Sequence, residues 1–207
     1  IWGLIALDTG MYAVPADAKY TRETFITEIL KMQLTDGVNG NAYGGWVLGG
    51  YGSSSDVDIT AMAIQALAPY YNDDTVYTYV NTAAGTTVSK TVRQCVDEAL
   101  DRLGSMMNAG AGFSSWNTNN AESIAQVIVA LTALGIDPQK DARFLKNGRS
   151  VLDALCDFVL DDGFYHSAEL VEVNGMATEQ AYYALTAYAR FQDGKIRLFD
   201  MTELTAA

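Results

Sequence analysis

The stretch Asp58-Ile-Thr-Ala-Met-Ala-Ile-Gln-Ala-Leu67 decides the fold reading, because it returns in altered form along the chain. Full copies are Glu122-Ser-Ile-Ala-Gln-Val-Ile-Val-Ala-Leu131 and Met176-Ala-Thr-Glu-Gln-Ala-Tyr-Tyr-Ala-Leu185, and a short one, Trp2-Gly-Leu-Ile-Ala-Leu7, opens the sequence. The matched residues Leu7, Leu67, Leu131 and Leu185 stand at unequal intervals. Such spacing fits whole helical hairpins joined by loops of different length rather than a tight solenoid. Each copy is apolar nearly all round and rich in alanine, which predicts helices buried on most sides.

Between the copies lie amphipathic stretches at 21–33, 91–107 and 147–160, the last with Val151, Leu152, Leu155, Val159 and Leu160 at helical spacing. Buried helices alternating with half-exposed ones imply two layers. The expectation is an all-α chain, an α/α toroid: an incomplete barrel of inner and outer helices, about seven main helices in all, with no substantial sheet. Residues 1–207 read as a single domain. The sequence enters its first helical pattern with no capping residue ahead of it, so an N-terminal portion is expected to be missing.

Composition narrows the function. With 49% apolar and 18% charged residues the chain is globular, and no apolar run is long enough to span a bilayer. A net charge of −12 repels phosphate, which argues against nucleic acid and against anionic membrane surfaces. Cys95 and Cys156 are too few for a disulfide framework and read as buried free thiols.

Each outer stretch runs into a glycine-aromatic turn: Gln33 to Gly45-Trp46, Asn108 to Phe113 and Trp116, and Asp161 to Phe164-Tyr165. Glycine permits a tight backbone there, and the aromatic can plug the gap between hairpins. These turns resemble the glutamine-tryptophan repeats of squalene and oxidosqualene cyclases. Asp56-Val-Asp58-Ile-Thr60-Ala61 resembles the Asp-x-Asp-Asp-Thr-Ala motif of class II terpene cyclases. The chain as a whole is most similar to the prenyltransferase/squalene-oxidase-repeat domains of bacterial cell-surface proteins, through the segments beginning at Trp2, Ala125, Phe144 and Ala177. That resemblance implies the toroid and a secreted or cell-surface location. The same broad fold in transcobalamin-type carriers makes cobalamin the one cofactor to consider.

Carried over residue by residue, the cyclase motif would make Asp58 a general acid, with Asp56 as its first aspartate. Ile59 stands where the motif has a further aspartate, which removes part of the arrangement that tunes such an acid. The alternative reading is a capping box, with Ser55 as N-cap and Asp58 three residues later, and a similar cap at Asn119 to Glu122. Aligning the copies predicts an inward stripe. Asp58, Met62 and Gln65 match Glu122, Gln126 and Val129, then Met176, Gln180 and Tyr183, and Trp2 matches Gln126. Facing a central funnel, Trp2, Asp56, Asp58, Met62, Gln65, Glu122, Gln126, Gln180 and Tyr183 would bind a small molecule, glycan or peptide. The opposing expectation is that these residues satisfy one another across packed helices. No metal site is expected, since His166 is the one histidine. The reading is therefore a non-catalytic ligand-binding or adhesion module, with a terpene cyclase-like enzyme and a cobalamin binder as alternatives.

Overall fold

Small residues let helix α3 (Val57–Leu67) sit deep in the protein: Ala61, Ala63 and Ala66 are at most 1% exposed. The computed structural model describes residues 1–35, 38–49 and 53–205. Within them, α5 (Ala121–Ala133) is buried on every side from Ala121 to Thr132, packed between α3 and α7 (Gly175–Gln192). α1 (Trp2–Thr9) lies against α3. The end members of this row are less enclosed. α1 buries only Leu4 and Ile5, and α7 only the stripe Ala177, Ala181, Ala184 and Ala187.

A second set of helices covers the row. α2 (Arg22–Lys31) packs on α1, α4 (Val92–Met106) on α3, and the short α6 (Val151–Cys156) on α5. Side-chain caps start all three: Thr21 accepts from the Thr24 amide, and Thr91–Gln94 and Ser150–Asp153 form capping boxes. After α7 the chain returns to α1. The Met201 amide donates to Thr9 O at 2.7 Å, and the Phe199 ring lies between Trp2 (5.8 Å, edge-on) and Tyr183 (6.5 Å). A four-residue helix, α8 (Thr202–Thr205), follows.

The all-α expectation does not hold. Among the described residues four separate two-stranded antiparallel sheets lie between the helices, so the fold is mixed and is not an all-α toroid. β1 (Val76–Val80) pairs with β2 (Thr87–Thr91); β1 is a run of β-branched and aromatic residues, and β2 is β-branched at Thr87, Val88 and Thr91, types that favour a pleated surface. The other three are two-residue ladders: β3 (Ser114–Ser115) with β4 (Thr118–Asn119), β5 (Leu145–Lys146) with β6 (Arg149–Ser150), and β7 (Val159–Leu160) with β8 (Gly163–Phe164). Asn147-Gly148 has φ of 51° and 79°, the conformation a two-residue hairpin turn demands and a helix forbids. That turn removes the expected helix over 147–160, leaving only the six residues of α6.

The glycine-aromatic turns do plug the gaps. Trp46, Phe113 and Phe164 are 3%, 0% and 5% exposed. Gly45 permits the first, since a Cβ there would stand 2.6 Å from both Ser55 Oγ and Thr60 Oγ1. Positions 36 and 37 of that turn lie outside the described residues. Asp56, Asn120 and Asn174 are the side-chain N-caps of α3, α5 and α7, one residue beyond Ser55 and Asn119, where capping was expected. The backbone N–H of each cap donates to the carbonyl of the preceding aromatic: Asp56 to Trp46 (2.8 Å), Asn120 to Phe113 (3.3 Å) and Asn174 to Phe164 (2.9 Å). The sequence repeat is thus also a repeat of hydrogen bonds. Cys95 is buried as expected, but Cys156 is exposed on α6.

Candidate functional site

The expected single stripe divides into two sites. The first is a cleft at the N-terminal end of α3, of about 550 Å³, lined by Asp56, Asp58 and Met62 together with Ser115, Trp116 and the Val47-Leu48 segment. Asp56 is held rigidly. Its Oδ1 accepts the Ile59 amide at 3.0 Å, and its Oδ2 accepts the Ser115 hydroxyl at 2.8 Å. Asp58, in the first turn of the helix, is not the side-chain cap. Its Oδ1 is buried without a hydrogen-bond partner among the described residues. Burial pushes its carboxyl up to about 6, with the charges of Asp56 and Glu122 adding and the Ser123 and Ser115 hydroxyls opposing.

Trp116 forms the rim. With Asn117 it makes the β3–β4 turn, at φ of 52° and 65°, and its side chain is left in solvent, 83% exposed. A bulky residue with positive φ is strained, and such strain persists only where the surroundings impose it. Of the two aromatics in the Asn108–Trp116 segment only Phe113 plugs the core, so the exposed Trp116, with Ser115, is the part of the site that sequence reasoning missed. The signal was the pair Ser114-Ser115 and Thr118-Asn119 flanking two residues, a hairpin spacing.

The second site is a closed polar chain across α3, α5 and α7. Gln65 Nε2 donates to Gln126 Oε1 (2.9 Å) and to Gln126 O (3.1 Å). Gln126 Nε2 donates to Gln180 Oε1 (3.0 Å) and to the Tyr183 hydroxyl, which in turn donates to Gln180 Oε1 (3.3 Å). Burial raises the Tyr183 hydroxyl well above its usual range. These amides face one another, but Gln65 Oε1 is buried without a hydrogen-bond partner among the described residues. Glu122 belongs to neither site. It is buried and receives the His166 ring at 2.9 Å. Trp2, half exposed, meets Phe199 instead of a funnel.

Among the described residues no group of three or more histidine, cysteine or acidic side chains could hold a metal ion. No helix among them is long and apolar enough to cross a membrane. No family model matches the chain, and neither a curated protein nor a solved structure is significantly similar to it.

Proposed function

We propose that the protein is a non-catalytic ligand-binding or adhesion module, and that its ligand enters the cleft between Asp56, Asp58 and Trp116. One observation carries this reading: an 83% exposed tryptophan on a strained hairpin tip beside Asp58, one of whose carboxylate oxygens, Oδ1, is buried without a hydrogen-bond partner among the described residues. An indole held open costs free energy in water and offers a flat apolar face to a sugar ring, an aliphatic stem or a cation. A carboxylate kept in a site that disfavours its charge is the kind of group a ligand stabilises. The likeness of the repeat segments to those of bacterial surface proteins supports a secreted or cell-wall-associated setting. The net charge of −12 disfavours nucleic acid as the partner.

The test is to screen the protein and its Trp116→Ala variant side by side against a glycan array and a peptide library. Binding that falls at least tenfold in the variant, with folding unchanged, is the expected outcome; binding indifferent to Trp116, or no binding at all, ends the proposal.

A second reading takes Asp58 as a general acid, its carboxyl held protonated up to about pH 6 by burial, although protonating an alkene calls for a stronger acid than that. A class II terpene cyclase-like reaction would then be lost in Asp58→Asn. The openness of the cleft tells against it, because water would capture the carbocations such chemistry generates. No product from a panel of polyprenyl substrates would remove this reading.

A further inference from the structure

The cleft beside Asp58 adjoins a second, apolar one. The two share Val47, Leu48 and Ile59 as a common wall. Beyond that wall the second cleft, of about 350 Å³, is floored by Phe25, Ile29 and Met32 and edged by Glu28. Together they form a groove with an aliphatic middle and carboxylates toward its ends. Among the described residues its lining includes Glu28, Asp56 and Asp58 but no lysine or arginine. Glu28 is answered at the surface by Lys31 at 2.6 Å. The negative charge at the Asp56–Asp58 end has no such answer within the groove.

Resting on the binding reading above, we infer that this groove takes an extended peptide segment, whose apolar side chains lie against Val47, Leu48 and Ile59 and whose lysine or arginine reaches Asp56 and Asp58 beneath Trp116. Charge complementarity selects this occupant. A cation at that end restores the interaction that burial denies to Asp58, and it can lie under the indole face of Trp116. A lysine or arginine stem also matches the walls, since its methylenes run along Ile59 and Met62 while the charged head reaches the carboxylates. A neutral glycan would set hydroxyls against the aliphatic middle and leave the carboxylates unanswered.

The probe is a fixed library of N-acetylated, C-amidated hexapeptides, with Leu, Ile, Val or Phe at alternate positions and Lys, Arg, norleucine or Glu at the fifth. Binding is measured by calorimetry to the whole chain and to Asp58→Asn. Lysine and arginine members are expected to bind at least tenfold more tightly than the norleucine and glutamate members. That preference disappears in Asp58→Asn and weakens as salt is raised. Equal binding of lysine and norleucine members, or a preference that survives Asp58→Asn, overturns the inference. If no peptide binds but a neutral glycan binds in a Trp116-dependent way, the inference fails and the binding reading stands. If neither class binds, both fail.

Discussion

Asp58 has a raised carboxyl pKa, which reverses the usual sign of an acid's contribution to stability. Its folded value of about 6 lies above the ordinary 3.8, because burial dominates and Asp56 and Glu122 add to it. Between those two values the folded chain binds more protons than the unfolded one, so stability falls as pH rises through that window. The difference corresponds to at most about 3 kcal/mol. Asp58→Asn is therefore expected to stabilise the protein at pH 8 by about 1–3 kcal/mol and to be near neutral at pH 4, read from urea midpoints at the two pH values. Destabilisation at pH 8 would contradict the account. The same titration governs the site. Affinity for a cationic peptide should fall as pH drops through about 6, with Asp56 and Glu122 as the acidic neighbours, the His166 ring hydrogen-bonded to Glu122, and Ser115, Ser123 and Tyr183 as the polar ones. At the rim, Trp116→Gly relieves a positive φ and should leave stability unchanged or raised by about 0.5–1 kcal/mol while abolishing binding. A loss of stability there would mean the indole serves the fold instead.

Between elements, two joints recur. Thr60 Oγ1 accepts the Trp46 amide at 2.9 Å and donates to Trp46 O, and Thr178 Oγ1 does the same for Phe164. Thr60 is fully buried, so Thr60→Val strands the Trp46 N–H and should cost about 1–3 kcal/mol. Thr178→Val, at a partly buried site, should cost less; equal or reversed costs in thermal unfolding would show that these joints do not carry the repeat. Helices with an alanine-rich, all-round apolar pattern were legible at this scale: α3, α5 and α7 contain the three full copies. The hairpins were not, because two-residue ladders leave no periodicity to count. Asn147-Gly148 was the strongest turn signal in that region, yet the apolar spacing after it suggested a longer helix. The cap moved by one residue, from Ser55 to Asp56, because the Ser55 hydroxyl donates to Ala42 O at 2.5 Å instead.

Across the molecule, one hydrophobic cluster runs from Leu4 to Ala187, and a chain of amides crosses its middle. Gln126 is 2% exposed and joins three helices, so Gln126→Leu leaves Gln180 and Gln65 short of partners and should cost about 1–3 kcal/mol without altering ligand affinity. Repeat alignment found these amides and Asp58 but set them on one stripe. The stripe splits because Asp58 stands in the first turn of α3, while Gln65 stands two turns deeper, where α5 covers it. The rim at Trp116 was missed because a tryptophan that plugs a gap and one that faces solvent share the same one-dimensional signature, and only the hairpin spacing around 116–117 set it apart.

The central claim is that ligand meets the protein at the Asp56–Asp58–Trp116 cleft. Titrating the lysine-containing hexapeptides into the isotope-labelled chain and following its amide and indole NMR signals tests this directly. The account predicts shifts confined to residues 25–32, 46–49, 53–62 and 114–117, with the Trp116 indole N–H moving and that of Trp2 still. Shifts centred on Gln126, Gln180 and Tyr183, with Trp116 unmoved, would contradict it.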